Sequence, residues 1–208
     1  MASYIVYRSQ KLTSLLLKYS PDVEFRTVVD SFGEILWPPL PINPELISFA
    51  LLELVSNSIR AHREKGIAEP VRVDLRTDAL ELRASVIDAG RGFDPSVLPY
   101  DITAGVETVN VMGDAFTAYR DMHEGRRFGM GLYVARKTFK RFNLYFVDSQ
   151  ENPCPWFSGK VKGTRIDLAL PIVDTPLPAS TPARAPVQAR ADYAEIEELP
   201  GLEGFEDA

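Results

Sequence analysis

Two short stretches alternate apolar and polar residues with a period of two: "VRVDLRT" at 71–77 and "ELRASVID" at 81–88. Side chains on a strand point to opposite faces in turn, so each stretch predicts a strand, with a short turn between them. Upstream, "ELISFALLELVSNSIRAHREK" has the longer period of a helix. Asn43 supplies a cap, Pro44 suits the first helical position, and Glu45 puts an acid in the first turn. Gly66 should end that helix. Pro38, Pro39 and Pro41 break the chain before it. Nearer the start, "SQKLTSLLLKYS" predicts a short amphipathic helix, "YIVYR" is open to a strand, and "DVEFRTVV" predicts a strand. From Phe93 to Phe128 periodicity is weak, with one short helix expected around "DAFTAYRDMH". Then follow a helix over "GLYVARKTFKRF", a strand at "LYFVDS", an irregular "QENPCPWFSGKVKG" and a last strand at "TRIDLALPI". Strands on one side and helices on the other make an α+β sandwich.

Composition changes this picture at one end. The net charge of -6 belongs wholly to residues 174–208, which hold two basic and eight acidic residues, leaving 1–173 neutral. A basic nucleic-acid-binding domain is therefore not expected. The last segment opens with the Pro- and Ala-rich "DTPLPASTPARAPVQARA" and is expected to be an extended or disordered acidic tail. The expected divisions are a lead-in at 1–22, a main domain at 23–173 and the tail. One cysteine, Cys154, rules out an internal disulfide framework and any Cys-cluster metal site, and two histidines make a zinc site unexpected. No apolar run reaches the roughly 20 residues that span a bilayer, and "MASYIVYRSQKL" lacks the features of a secretion signal. A cytoplasmic location, without membrane contact, is the expectation.

The candidate chemistry lies in four places. Glu53, Asn57 and Arg60 share one face of an otherwise apolar helix. That spacing is what the solvent edge of a helix would carry. It also lets a carboxylate and an amide oxygen order a water and a magnesium ion, with Arg60 placed to meet a phosphate. Asp88 ends a strand and is followed by Gly90 and Gly92. Asp and Gly commonly mark a turn, but a carboxylate there can also accept from an exocyclic amine while the glycines let backbone approach a flat base. Gly129 and Gly131 lead into a helix whose first N–H groups favour phosphate oxygens. Thr164, after Gly163, opens the final strand and could help hold a base-edge water.

In this order the chain resembles the GHKL ATPase superfamily, which takes in gyrase, chaperones, histidine kinases and MutL. The resemblance covers about residues 23–173. "PINPELISFALLELVSNSIRAH" is similar to the family's N box, "VIDAGRGF" to its G1 box, "FGMGLYVARK" to G2, and "GKVKGTRIDLALPI" to the Gly-Thr strand. The resemblance implies a Bergerat-type two-layer sandwich, a mixed sheet covered on one face by helices, with ATP between the layers. It implies Asn57 as the magnesium ligand, Glu53 as the base and Asp88 as the reader of the adenine amine. Arg60, Gly90, Gly92, Phe93, Arg127, Gly129, Met130, Gly131, Leu132 and Thr164 complete the implied nucleotide-binding set. Residues 93–128 would contain a mobile ATP lid, and Phe116, Tyr119 and Arg120 resemble the aromatic–Arg motif before kinase lids, with altered spacing.

The chain departs from the pattern in two respects. Arg127 stands where many histidine kinases have a glycine, and "RRFGMG" is closer to the anti-sigma-factor serine kinases. No histidine precedes His62, so a phosphoacceptor His in a preceding helical hairpin is missing from this sequence. The resemblance therefore implies an ATP-dependent kinase of bacterial signalling that acts on a partner protein, with a homodimer possible. The alternative is a nucleotide-gated binding module with negligible turnover. The helical face with Arg136, Lys137, Lys140 and Arg141 is expected to be solvated or a docking patch.

Overall fold

The computed structural model describes residues 3–123 and 130–173. The helix read most fully from sequence, α2, spans Pro44–Lys65. The Asn43 side chain accepts from the Glu45 amide at 2.9 Å, and Gly66 closes the helix in the left-handed conformation (φ 63°). Its inner stripe of Ile47, Leu51, Leu54, Val55 and Ile59 is buried.

That stripe lies on a six-stranded sheet. β1 (Ile5–Tyr7) and β2 (Gln10–Leu12) belong to a separate small sheet, completed by β4 (Ile35–Leu36) in the order β2-β1-β4. The main sheet runs β3 (Ser14–Tyr19), β5 (Val71–Thr77), β6 (Glu81–Asp88), β9 (Gly163–Pro171), β7 (Arg141–Val147), β8 (Pro153–Cys154). β5 and β6 match the expected strands residue for residue. The two-layer α+β architecture is as expected. Where a mixed sheet was expected, every strand pairing among the described residues is antiparallel. The inner face is continuous across the register: Val73 opposite Val86, and Val86 opposite Ile166, all buried. The outer face carries ion pairs such as Arg76–Asp74 at 2.8 Å and Arg165–Asp167 at 3.2 Å.

Three sequence expectations are corrected. "SQKLTSLLLKYS" is β2 and β3, not a helix, because pairing with β5 turns Leu17 and Tyr19 into the core and leaves Leu16 53% exposed. Within a run of three leucines the period of two cannot be seen. "DVEFRTVV" enters helix α1 (Phe25–Gly33), which buries Val28 and Phe32 four residues apart. The Tyr19 hydroxyl lies 2.6 Å from Ser31 Oγ, and the Arg63 guanidinium of α2 donates to the Pro21 and Val23 carbonyls, so tertiary contacts fix α1 against β-branched propensity. The helix after the second glycine pair, α4 (Gly131–Thr138), stops short, and Arg141 and Phe142 already belong to β7. The expected cationic helix face therefore does not form as one patch: half-buried Arg136 donates to the Ala104 carbonyl at 2.6 Å, and Arg141 pairs with Glu81. Helix α3 (Asp114–Met122) lies where expected. No helix among the described residues is long and apolar enough to cross a membrane.

Because Leu51 is fully buried between α2 and the sheet, Leu51→Ala should cost about 2–5 kcal/mol. Urea unfolding should show a lower midpoint at an unchanged slope.

Candidate nucleotide site

Between the outer face of α2 and the ends of β6 and β9 lies a cavity of about 430 Å³. That volume is within the range of small-molecule sites. Glu53, Asn57 and Arg60 line it from α2, Asp88, Gly90, Gly92 and Phe93 from the end of β6, Met130, Gly131 and Leu132 from the start of α4, and Thr164 from β9. These sequence-derived candidates thus line one space. Arg127 and Gly129 lie outside the described residues.

Asp88 is the centre of the arrangement. Strand pairing sets it opposite Thr164. Its Oδ2 accepts from Ser58 Oγ at 3.2 Å and from the Thr164 hydroxyl. Its Oδ1 accepts from the Gly90 amide at 2.7 Å and, at a longer 3.4 Å, from the Thr164 amide. Four donors from α2, β9 and the turn after β6 fix the plane of one carboxylate, which has about four acceptor positions.

The turn after Asp88 is held from beneath by the last turns of α2. His62, fully buried, takes the Ala89 amide on Nε2 at 2.8 Å and holds the Glu69 carbonyl at 2.8 Å through Nδ1. The Lys65 ammonium donates to the Gly90 carbonyl and, at 3.0 Å, to that of Gly92. Gly92 has φ of 65°, in the left-handed region. Phe93 meets Phe146 edge to face at 5.3 Å.

Two glycines set the spacing between elements. A Cβ on Gly163 would fall 1.8 Å from the Asp88 carbonyl oxygen, so only glycine lets β9 reach the Asp88 peptide. A Cβ on Gly131 would fall 2.4 Å from Asn57 Nδ2, which places the first residue of α4 directly against the polar face of α2.

The segment between these walls is anchored at its base. Tyr100 stacks on buried Phe116 with centroids 5.7 Å apart, and meets Tyr133 of α4 edge-on at 6.2 Å. Burial pushes the Tyr100 phenol above its ordinary value. Tyr119, with Val97 and Leu98, lines the cavity, whereas Arg120 is exposed and donates to Thr117 Oγ1 at 3.3 Å. Of the three residues noted there in sequence, Phe116 is a packing residue and Tyr119 alone meets the cavity.

Ser58, His62 and Lys65 were not among the sequence candidates. Ser58 and His62 leave a trace in sequence as polar residues one turn apart on the buried stripe of α2. Lys65, in the last turn of a helix, has no such mark, since a cation there is ordinary.

An antiparallel sheet under one helical layer, with a carboxylate at the strand ends and an amide and glutamate on the covering helix, defines a nucleotide-binding sandwich. The family model described as histidine kinase-, DNA gyrase B-, and HSP90-like ATPase matches residues 42–174, and the chain belongs to that family. This segment is an ATP-binding domain of the GHKL type. No curated protein matches the chain.

Substituting the two spacing glycines should give opposite results. Gly163→Ala drives a methyl into backbone and should cost about 3 kcal/mol in chemical denaturation. Gly131→Ala meets only the end of a side chain, so stability should hold to within about 1 kcal/mol. The Asn57 side-chain amide resonances should move instead, as NMR would show.

Proposed function

We propose that this domain is an ATP-dependent protein kinase of bacterial signalling, which passes the γ-phosphoryl group to a side chain of a partner protein. The observation that carries the reading is the convergence of Glu53, Asn57 and Asp88 on one cavity within a family that binds ATP. The residues present fit the nucleotide. Leu54, Leu98 and Ile166 offer apolar walls for a flat base, beside the four-donor carboxylate of Asp88. On entry, an exocyclic N–H takes the place of one of the two longer donors, Ser58 Oγ or the Thr164 amide. Asn57, one turn from Glu53, suits a hard cation that keeps several waters and takes its remaining oxygens from phosphate. Asn57 is the ligand from the helix that the family resemblance implies. Bound there, Mg-ATP supplies the electrophilic phosphorus and the neutralising metal charge.

Glu53 is placed to accept the proton of the attacking hydroxyl or imidazole, as a general base. Arg60, on the same cavity wall, suits a phosphate oxygen. Neither nitrogen of His62 is available as an acceptor for phosphoryl transfer, both being engaged in a fully buried site. The proposed acceptor is a side chain of a partner protein, and the proposed setting is the cytoplasm.

A second reading is favoured by the anchorage of residues 99–116 on α4 through Tyr100, Phe116 and Arg136. A segment fixed at its base and continuing into α3, which lines the cavity at Tyr119, would transmit occupancy to a partner surface without turnover.

Calorimetric titration with ATP, with and without magnesium, should show metal-dependent binding. Asp88→Asn should weaken that binding at least tenfold, roughly 1.4 kcal/mol, in a protein that still melts cooperatively. Unchanged affinity would remove Asp88 from the site. Glu53→Ala separates the two readings: it should keep ATP affinity and lose transfer to the partner if the domain is a kinase. It should change nothing measurable if the domain is only gated by nucleotide.

A further inference from the structure

His62 is the one fully buried ionisable side chain among the described core residues, and the chemistry proposed above gives it no part. Its two contacts fix its state. The Glu69 carbonyl can only accept, so Nδ1 carries the proton, and the Ala89 amide can only donate, so Nε2 presents a lone pair. A single neutral tautomer satisfies both. Proton on Nε2 would set N–H against N–H in a fully buried site.

The place where this lone pair acts is specific. The Ala89 amide belongs to the Asp88–Ala89 peptide. The carbonyl side of that peptide lies against Gly163, so closely that a Cβ there would overlap it. The peptide that follows the adenine-facing carboxylate is thus held on its amide edge by α2 and on its carbonyl edge by β9. One turn further along α2, Lys65 holds the Gly90 and Gly92 carbonyls. The helix that bears Glu53 and Asn57 at the phosphate end therefore also sets the turn at the base end.

We propose that His62 is a positioning residue for base recognition, its Nε2 lone pair orienting the Asp88–Ala89 peptide so that the Asp88 carboxylate meets an exocyclic amine. The proposal rests on Asp88 reading the adenine amine as proposed above. A histidine that served only to fill the core would influence all nucleotides alike. One that aims Asp88 influences only those with the amine.

The test compares ATP with purine riboside triphosphate, which lacks the 6-amino group, by calorimetric titration of the full chain. The wild type should prefer ATP roughly tenfold, the worth of one hydrogen bond to a charged group. His62→Gln places an amide oxygen where Nε2 lies and should keep that preference. His62→Asn reaches only as far as Nδ1, leaves the Ala89 amide without an acceptor, and should lose the preference while keeping its affinity for the riboside triphosphate. If the wild type shows no preference, the reading of Asp88 fails and this proposal falls with it. If the wild type discriminates and His62→Asn does so equally, the Asp88 reading stands and the role of His62 is overturned. A measurement on the native protein covers the case of variants that do not fold. Long-range 15N–1H spectra should show His62 protonated on Nδ1 alone, with the Ala89 amide protected from exchange. A freely exchanging Ala89 amide would overturn the proposal.

Discussion

The carboxylate of Asp88 is the point on which both layers of this domain agree. Its four donors come from a helix, from the strand hydrogen-bonded alongside, and from its own following turn. A carboxylate buried without donors costs several kcal/mol, so the elements that bring those donors must arrive together. The same requirement explains why Gly163 faces the Asp88 peptide and why Thr164 opens β9. Strand register sets Thr164 opposite Asp88, and any other side chain at 163 would push the pair apart. Fold and site are thus a single constraint seen from two sides.

From that centre the helical layer takes its placement. α2 must lie close enough for Ser58 and His62 to reach the end of β6, which its apolar stripe ensures by packing on Val73, Val86 and Ile166. Once α2 is so placed, Glu53 and Asn57 line the same cavity as Asp88. α4 then closes on them, limited by Gly131 against the Asn57 amide. Ser58 and His62, which meet the end of β6, stand on the same rigid helix as Glu53 and Asn57, so the spacing of these groups is set by helix geometry and not by loops.

What could be read from the sequence follows from how local each cause is. The caps of α2 and the alternation of β5 and β6 are written in adjacent residues, and the structure has them where they were expected. β3 and α1 were misread because their causes are distant: pairing with β5 in one case, and the contacts of Tyr19 and Arg63 in the other. The site divides in the same way. Asp88, Gly131 and Thr164 stand out because each is polar or glycine at the boundary of a readable element, and Glu53 and Asn57 because they are polar within an apolar helix. Ser58 and His62 sit inside an apolar stripe, where their partners, the Asp88 carboxylate and the Ala89 amide, cannot be seen until the strand end is in place.

The contrast between the two ends of the cavity bears on how such a domain could respond to its ligand. Around Asp88 and the turn after it, His62, Lys65, Ser58 and Thr164 make contacts that reach across from α2 and β9. The wall contributed by residues 95–122, which brings Leu98 to the cavity, is held through Tyr100, Phe116 and the hydrogen bond from Arg136 to Ala104. Hydrogen-bonded peptides packed from both sides resist displacement, whereas a segment held at one base can shift as a unit. Binding energy collected at the rigid end can therefore be expressed as movement at the other. That asymmetry serves a phosphoryl-transfer enzyme, which must shield its reacting group and then expose it, and equally serves a gated surface. The distinction between the two rests with Glu53, and with whether its carboxylate takes a proton.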